Sequence, residues 1–284
     1  MKIFNGRVDE NDWSMRILII GGGNMGSVYA ESFLKSHIVE PSKLMILEKS
    51  PQKAEALRER KLGSVFLRPQ ECLPYADLVV LAVKPQDTGE LFRQIGDMTD
   101  SSQVVLSIMA GVKMRTIADA LKVDKIVRAM PNLPAKVGRG MTVFTAAEAV
   151  TRIELAMVQN LINTTGKSLY VQEESMLDAA TAISGSGPAY VWYFMDALVE
   201  AAQKMGFNKS EAELLVSQTF LGAIQLYQAS DLDLTEWIQR VCSRGGTTEA
   251  ALADMDAHRV RALLCSGADA ALRRAKELGD GKAS

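Results

Sequence analysis

The stretch Arg16–Gly26, which reads RILIIGGGNMG, joins a short apolar strand directly to the start of a helix. Its glycines fit the pattern G-x-G-x-x-G. In this pattern Gly21 permits a tight turn, Gly23 lets a pyrophosphate approach the backbone, and Gly26 lets helix and strand pack closely. The N-terminus of the helix offers N–H groups and a positive dipole end to phosphates. The pattern therefore predicts a dinucleotide-binding loop. Its predicted cofactor-binding residues are Gly21, Gly23, Asn24, Met25 and Gly26.

Glu48 ends the second predicted strand, about 20 residues beyond the loop, where dinucleotide-binding folds often carry an acidic residue. A carboxylate there accepts hydrogen bonds from the adenosine ribose hydroxyls and repels a 2′-phosphate, which favours NADH. Lys49 and Ser50 follow, and they could hold a 2′-phosphate if Glu48 turned away. We predict that these three residues bind the cofactor, and both NADPH and NADH stay open. A solvated charged loop before the next helix is the alternative.

Short apolar runs alternate with helical segments from Arg16 onward. The run LVVLAV at Leu78–Val83 is apolar on both faces, as a buried parallel strand requires. Such alternation predicts an α/β fold with a Rossmann-type doubly wound sheet and right-handed crossovers. The predicted strands are Arg16–Ile20, Leu44–Glu48, Ser64–Phe66 (a weaker one), Leu78–Val83, Gln103–Ile108, Lys125–Ala129, Met141–Thr145 and Ser168–Val171. The predicted helices between them are Asn24–Lys35, Pro51–Arg60, Met114–Leu121 and Thr151–Asn163.

The strands stop after about Gln172, and residues 175–279 show helical periodicity with abundant Ala, Leu, Met and Glu. This pattern predicts a second, all-helical domain. A helical layer this thin would bury its remaining apolar surface against a second copy, which predicts a homo-oligomer. The predicted parts are an N-terminal extension (1–14), a dinucleotide-binding domain (15–173) and a helical domain (174–284).

Two further loops follow predicted strands, at the sheet edge where ligands of open α/β folds bind. One begins at the end of the buried strand Leu78–Val83, and a proline that merely starts a helix is its alternative explanation. In the other loop, Asn132 supplies a donor and an acceptor suited to a carboxamide or a substrate, but a polar loop of this kind is more often structural than functional. In the loop that begins at the end of the strand Leu78–Val83, the predicted cofactor-binding residues are Ala82, Val83, Lys84 and Pro85.

The segment Ser243–Thr248, SRGGTT, leads into the helical run EAALADM. Two glycines before a helix, with hydroxyls around them, form a cradle for a small anion that backbone N–H groups face. We expect a carboxylate here, bound by Ser243 and the first N–H groups of the helix. Thr247 as an ordinary N-cap is the alternative, but it leaves the glycine pair unexplained.

Composition narrows the classes of partner. Lys plus Arg (32) nearly cancel Asp plus Glu (34), so we expect no nucleic-acid or anionic-membrane partner. Three widely spaced cysteines indicate neither a disulfide framework nor a zinc site, so we expect no metal and a cytoplasmic location. Met1–Ser14 does not resemble a signal peptide, and no apolar run approaches the ~20 residues that span a bilayer.

The scarcity of histidine narrows the chemistry. The only two histidines, His37 and His258, lie outside the stretches described above. A dehydrogenase acting on an alcohol normally needs a proton acceptor beside the carbinol, and the helical domain's loop has no obvious His or Lys for that role. Reduction of a C=N bond is less demanding, because a protonated imine arrives already activated and needs mainly to be oriented.

Taken together, these stretches resemble pyrroline-5-carboxylate reductases from about Arg16 to Leu278. The motifs GGGNMG, AVKP, RAMPNLPA, SGSGPAY and SRGGTTEAAL occur in the family's order and spacing. The resemblance implies reduction of the cyclic imine (S)-1-pyrroline-5-carboxylate to L-proline with NADPH or NADH, the last step of proline biosynthesis. It also implies homodimers that interlock through their helical domains, often assembled further into rings of dimers.

The resemblance also assigns roles within the Gly-Gly-Thr-Thr loop. It implies that Ser243 and two backbone N–H groups hold the substrate carboxylate. Thr248 would be the catalytic residue, since its hydroxyl would hydrogen-bond the ring nitrogen. Arg244 departs from the proline that is usual at its position. The predicted substrate-binding residues are Ser243, Gly245, Gly246, Thr247 and Thr248.

Two other functions stay open at this point. A dehydrogenase of the 3-hydroxyacid type would need a catalytic lysine in the helical domain. Lys204 and Lys209 are available, but neither lies in a glycine-rich motif. A non-catalytic dinucleotide-binding protein would be favoured if the Thr-Thr loop were eroded, and that loop is intact.

Overall fold

The structure, a computed structural model, describes residues 15–279. The predicted N-terminal extension, residues 1–14, lies outside the described residues. The strands are β1 (Ile17–Ile20), β2 (Leu44–Leu47), β3 (Ser64–Phe66), β4 (Leu78–Leu81), β5 (Val104–Ser107), β6 (Ile126–Met130), β7 (Gly140–Ala146) and β8 (Gly166–Tyr170). The α-helices are α1 (Asn24–Lys35), α2 (Pro51–Glu59), α3 (Thr88–Ile95), α4 (Met114–Leu121), α5 (Arg152–Asn163), α6 (Met176–Ala180), α7 (Gly187–Lys204), α8 (Lys209–Gln228), α9 (Leu234–Val241), α10 (Thr247–Ala257) and α11 (Val260–Gly279).

One eight-stranded sheet forms the centre of the first part of the chain, in the order β3-β2-β1-β4-β5-β6-β7-β8. The strand order reverses at β1, which pairs in parallel with both β2 and β4. The Rossmann-type doubly wound sheet and the helical C-terminal part that the sequence predicts are confirmed. Because β2 and β4 flank β1, the loops after these three strands meet at one edge of the sheet.

Strand β7 runs antiparallel to β6, whereas every other pair in this sheet is parallel. The alternation of strands and helices did not predict this reversal. A parallel crossover needs a dozen or more residues, usually with a helix. The connection from Met130 to Gly140 holds only a short 3₁₀ helix at Leu133–Val137, so the chain turns straight back.

The sheet is buried on both faces because helices cover each side. Ile17 and Ile19 pack with residues of α1 and α5 on one face, and Leu18 and Ile20 pack with residues of α3 and α4 on the other. Successive side chains of a strand point to opposite faces, so a strand covered on both sides must be apolar throughout. The strands β1, β2 and β4 are buried at every position, and they hold the loops that follow them in fixed positions.

Helix α3 was not among the predicted helices, although a proline that starts a helix was the alternative explanation of Pro85. Pro85–Asp87 form a short 3₁₀ helix, and α3 continues directly from it. The bounds of the predicted elements differ by up to two residues from those observed. For example, the strand predicted at Leu78–Val83 ends at Leu81, which leaves Ala82 and Val83 in the loop.

The described part of the chain divides into two compact units, residues 15–185 with 274–279, and residues 186–273. Residues 174–185 belong to the first unit because Glu174 accepts hydrogen bonds from Arg128 Nη1 at 2.7 Å and from the Met114 N–H at 2.8 Å. Arg128 is 4% exposed, so its ion pair with Glu174 is shielded from solvent on the arginine side and holds residues 174–185 to the first unit. The predicted functional boundary at residue 173 stays a prediction.

The second unit consists of helices with well-formed N-termini and little buried apolar surface. Asn208 and Asp233 form capping boxes at the starts of α8 and α9, each reciprocated by a glutamate three residues later. The apolar residues of this unit that are buried are Ala212 and Val216. Among the described helices, none is long and apolar enough to cross a bilayer.

Candidate active site

The glycine-rich loop joins β1 to α1 in a geometry that only glycine allows at two positions. Gly21 has φ +102°, and its N–H donates to the Leu47 carbonyl at 2.9 Å. A Cβ at Gly26 would overlap the carbonyl oxygen of Gly21. A Cβ at Gly23, in contrast, would meet no atom within 4 Å. The loop is therefore packed closely at Gly21, Gly22 and Gly26 and faces open space at Gly23.

The N-terminus of α1 begins in this open space. Gly23 is the N-cap, and no side chain of the described residues caps it. Asn24 is exposed and Met25 half-buried in the first turn. An uncapped helix N-terminus presents backbone N–H groups and positive dipole potential to an anion. The geometry therefore fits a dinucleotide pyrophosphate.

The Glu48 carboxylate is buried directly beside the loop, with 7% of the residue exposed. Its Oε2 accepts from the Gly22 N–H at 3.1 Å, and its Oε1 accepts from the Ser50 N–H at 3.0 Å. Both oxygens are thus engaged by backbone donors, and such charge-assisted bonds are stronger than neutral ones. The carboxylate is held at the end of β2 and is turned toward the glycine-rich loop.

Lys49 points away from that carboxylate, to two acidic residues after β4. Its Nζ lies 3.0 Å from Asp87 Oδ1 and 3.6 Å from Glu90 Oε2. The hydrogen bond and the charge of Asp87, then the charge of Glu90, raise the pKa of Lys49. The sequence reasoning missed Asp87 and Glu90. The signal that could have identified them is the predicted doubly wound sheet. In such a sheet the loops after the two neighbours of β1 face each other across the glycine-rich loop.

A cleft of about 410 Å³ lies where these loops meet. It brings together most residues predicted to bind the cofactor, on β1, β2 and β4. Pro85 borders it in sequence, at the start of the 3₁₀ helix after Lys84. The lining residues that were predicted are Gly21, Gly23, Glu48, Lys49, Ala82, Val83 and Lys84.

Both ends of the Asn132 amide are bonded within the protein, which agrees with the structural alternative given for its loop. Its Nδ2 donates to the Ser184 carbonyl at 2.9 Å, and its Oδ1 accepts from the Met141 N–H at 2.9 Å. Ser184 lies in a π-helical turn, Thr181–Gly185, just before α7. Asn132 therefore fastens its own loop to this turn.

The second glycine loop, Ser243–Thr248, precedes α10. The Gly246 N–H donates to the Ser243 carbonyl at 2.9 Å, and a Cβ at Gly246 would lie 2.5 Å from Ser243 Oγ. The glycine thus lets the serine hydroxyl come close to the helix start. Gly246, and not Thr247, is the N-cap, so the alternative explanation of Thr247 is wrong.

The helix start in this loop is open. No side chain of the described residues caps α10, and the hydroxyls of Ser243, Thr247 and Thr248 have no hydrogen-bond partner in the described part of the chain. Glu249 Oε2 accepts from the Gly245 N–H at 2.6 Å, a contact that sequence reasoning missed. The Glu249 carboxylate therefore fixes the loop, while the N–H groups and hydroxyls at its end stay available.

Titratable metal ligands are not clustered in this structure. Within residues 15–279, no group of three or more His, Cys, Asp or Glu side chains could hold a metal ion. Each histidine lies at the far end of the helix that one of the loops begins. His37 follows the end of α1, and His258, the C-cap of α10, contacts the Asp254 carbonyl through its Nδ1.

Models of known protein families match both parts of the chain. Residues 174–278 match the model of the pyrroline-5-carboxylate reductase dimerisation domain, and residues 16–111 match that of coenzyme F420-dependent NADP oxidoreductases. The pyrroline-5-carboxylate reductase of Pseudomonas aeruginosa is 31% identical over 266 residues, which cover 93% of this chain and 97% of the relative. The chain belongs to the pyrroline-5-carboxylate reductase family.

Solved structures of this family share the fold along nearly the whole chain. A pyrroline-5-carboxylate reductase from Coxiella burnetii is 32% identical with a TM-score of 0.86, and the match covers 93% of this chain and 98% of that one. The Plasmodium falciparum enzyme, solved with NADP bound, is 26% identical with a TM-score of 0.84 over the same shares.

Family membership makes this chain an NAD(P)H-dependent oxidoreductase that functions in proline biosynthesis. The predicted enzyme class and cofactor pair are therefore confirmed, and the comparisons do not favour the 3-hydroxyacid or non-catalytic alternatives. The match to the dimerisation domain also supports a homo-oligomer, as the sequence predicts.

Proposed function

We propose that this chain reduces (S)-1-pyrroline-5-carboxylate to L-proline by hydride transfer from NAD(P)H, with the first glycine loop binding the cofactor and the second binding the substrate. The observation that carries the proposal is the open start of α10, where three unpartnered hydroxyls stand beside uncapped backbone N–H groups. A small carboxylate with an adjacent polar ring atom is the ligand class that such a cradle accepts.

The cofactor would occupy the cleft after β1, β2 and β4. The uncapped start of α1 would hold the pyrophosphate, with Gly23 leaving it room. Glu48, Lys49 and Ser50 would lie near the adenosine ribose. Ala82–Pro85 would lie along the cofactor toward its nicotinamide, because they follow the strand on the other side of β1. When bound, NAD(P)H supplies the hydride.

The substrate carboxylate would lie at the start of α10. Ser243 Oγ and the N–H groups of Gly246 and Thr247 would donate to it, and Gly245 would keep the loop in place through Glu249. Holding the carboxylate fixes the position of the ring and thereby orients its C=N bond. Such orientation replaces a collision between two freely moving molecules.

Thr248 would act on the reacting centre. Its hydroxyl would hydrogen-bond the ring nitrogen of the protonated imine, which orients the imine carbon toward the incoming hydride. The hydride forms the new C–H bond while the C=N π pair becomes the nitrogen lone pair, so the product is a neutral secondary amine. No further proton donor is needed in this step, which agrees with the absence of histidine from both loops.

Assembly and location complete the proposal. The helical domain, residues 174–284, would join two copies into a homodimer, and dimers would assemble further into a ring. The exposed apolar surface of α7 and α8 supports this assembly. Three unpaired cysteines, Cys72, Cys242 and Cys265, support a reducing, cytoplasmic location.

The test is the oxidation of NADPH and NADH, followed by absorbance at 340 nm, with and without pyrroline-5-carboxylate. We expect imine-dependent oxidation. Thr248→Ala should lower kcat by about 100-fold, as expected for one lost hydrogen bond to a reacting atom, with unchanged cofactor affinity. Thr248→Ser keeps the hydroxyl and is the matched control, expected to retain most of the activity.

Two results would contradict the proposal. Folded protein that oxidises neither cofactor in the presence of the imine would refute the reaction. A Thr248→Ala variant with normal turnover and weakened cofactor binding would refute the role of Thr248.

A further inference from the structure

The position of Glu48 bears on which cofactor the cleft accepts. A carboxylate at the end of β2 opposes a 2′-phosphate only if it faces the ribose. Here it is 7% exposed, lines the cleft and is held by the N–H groups of Gly22 and Ser50. Turning it away would break two charge-assisted bonds and leave both donors unpaired. The orientation toward the cleft is therefore the stable one.

The two neighbours that could have received a 2′-phosphate are engaged elsewhere. Lys49 is paired with Asp87 and Glu90, and moving it would leave two carboxylates facing each other beside the cleft. The Ser50 hydroxyl accepts from the Lys53 N–H as the N-cap of α2 and donates to Gln52 Oε1 at 3.2 Å. The polar groups of Lys49 and Ser50 are therefore in use, and neither side chain is positioned to donate to a 2′-phosphate beside Glu48.

We propose that Glu48 selects NADH over NADPH by accepting hydrogen bonds from the ribose hydroxyls and repelling the 2′-phosphate. The inference rests on the proposed dinucleotide cleft. Each carboxylate oxygen has a second lone pair beyond the one that its backbone donor uses, and a ribose hydroxyl can donate to it. A phosphate monoester carries close to two negative charges at neutral pH and offers acceptors only, so it meets the carboxylate with repulsion.

Lys53 provides the main opposing charge, because it also lines the cleft and begins near Glu48 on α2. Lys53 would attract the pyrophosphate, a group that NADH and NADPH share. A decisive contact of Lys53 with the 2′-phosphate would instead make NADPH the better ligand. The relative affinities of the two cofactors therefore distinguish control by Glu48 from control by Lys53.

The first experiment uses the wild-type chain and needs no substrate. Titration calorimetry would measure the Kd of NADH, NADPH, adenosine 5′-monophosphate and adenosine 2′,5′-bisphosphate. We expect NADH to bind at least tenfold more tightly than NADPH, and the monophosphate to bind more tightly than the bisphosphate. Equal affinities, or tighter binding of the 2′-phosphorylated member of each pair, would overturn the inference.

The second experiment is Glu48→Gln, which removes the charge at nearly constant volume. We expect the ratio of NADPH Kd to NADH Kd to fall at least tenfold, mainly through tighter NADPH binding. Glu55→Gln is the matched control, since Glu55 is an exposed glutamate of α2 outside the cleft and its variant should keep the wild-type ratio. An unchanged ratio in Glu48→Gln would overturn the role of this residue.

The outcomes separate this inference from the proposed function. If folded wild-type protein binds neither dinucleotide, the proposed cleft is wrong. If it binds both and reduces the imine with equal efficiency from each, the function stands and the selection by Glu48 is wrong. The fragment titrations on wild-type protein remain decisive even if Glu48→Gln does not fold.

Discussion

The loops Gly21–Gly26 and Ser243–Thr248 both place glycines before a helix, yet their surroundings differ sharply. The first loop lies on buried strands, with Gly26 packed against its own backbone and the Glu48 carboxylate bonded to Gly22. The second loop is mostly exposed and is held by two hydrogen bonds, from the Gly245 N–H to Glu249 and from the Gly246 N–H to the Ser243 carbonyl. The first loop is thus positioned by the core of its own unit, whereas the second has no comparable core behind it.

The same contrast holds for the two units as wholes. The first unit contains two large clusters of buried apolar residues, one on each face of the sheet. The second unit buries only Ala212 and Val216 among its apolar residues but exposes many large ones. Large exposed apolar surfaces on a folded protein mark interfaces. The comparison therefore indicates that the proposed substrate loop belongs to a unit whose exposed apolar surface a second copy would cover.

The largest expected effect tests that dependence. Leu214 and Leu221 lie seven residues apart on α8, and their exposed fractions are 68% and 49%. Burying a leucine contributes about 1.5–3 kcal/mol, so replacing both by aspartate should weaken assembly by at least about 100-fold. Analytical ultracentrifugation of the double variant should show monomers, and imine-dependent turnover should fall with the loss of assembly.

Tyr75→Asp is the control for this pair, because Tyr75 is an exposed aromatic residue of the first unit, 55% accessible. It should keep the wild-type mass in solution. A Leu214→Asp/Leu221→Asp variant that sediments like the wild type would show that α8 does not form the interface, and the comparison between the two units would lose its explanation.

Sequence patterns predicted the first unit well because its determinants are local. The apolar runs of β1, β2 and β4 are buried at every position, and the glycine pattern demands a strand before it and a helix after it. The reversal at β7 escaped prediction because it depends on the length of one connection. Helix α3 entered only as the alternative explanation of Pro85, because its apolar face becomes evident only against the sheet.

The sequence predicted which residues belong to the candidate site, but it did not predict which of them bond to each other. Local pattern identified Glu48 and Lys49, but whether Glu48 faces the cleft depends on Gly22, and the position of Lys49 depends on Asp87. Asn132 has the chemistry of a ligand-binding residue, yet its amide is used by Ser184 and Met141. Contacts between residues far apart in sequence decide such roles, and a single sequence does not contain them.

Two glycine substitutions in the first loop should have separable, intermediate effects. Gly26→Ala places a methyl group on the Gly21 carbonyl, so we expect about 1–3 kcal/mol of destabilisation together with weaker dinucleotide binding. Gly23→Ala adds its methyl group to open space, so stability should stay within about 0.5 kcal/mol of the wild type. Its dinucleotide Kd should nevertheless rise about tenfold, because the methyl group occupies the path of the pyrophosphate.

Thermal unfolding and titration of NADH on the same samples measure both quantities. The two variants are each other's control, since they add the same group three residues apart. Equal losses of stability would show that the space at Gly23 is not open in solution. Unchanged dinucleotide affinity in Gly23→Ala would show that the pyrophosphate does not bind at this loop.

The smallest expected effect probes the core behind the first loop. Tyr29 of α1 is 0% exposed, and its hydroxyl has no hydrogen-bond partner within the described residues. Burial raises the pKa of Tyr29 from 10.0 to about 12. The folded state therefore holds this proton more tightly than the unfolded state does. The resulting stability is complete below pH 10 and is lost progressively as the pH rises toward 12.

Replacing Tyr29 by phenylalanine should remove this alkaline sensitivity. Near pH 7 the free energy of unfolding should change by no more than about 1 kcal/mol, because an unpaired buried hydroxyl stabilises little. Between pH 9 and pH 11 the wild type should lose about 1 kcal/mol more than Tyr29→Phe. Urea unfolding at these pH values measures the difference, and Tyr75→Phe, at an exposed site, should follow the wild type. Parallel pH profiles for wild type and Tyr29→Phe would mean that water reaches the Tyr29 hydroxyl. The core of the first unit would then not exclude solvent at this position.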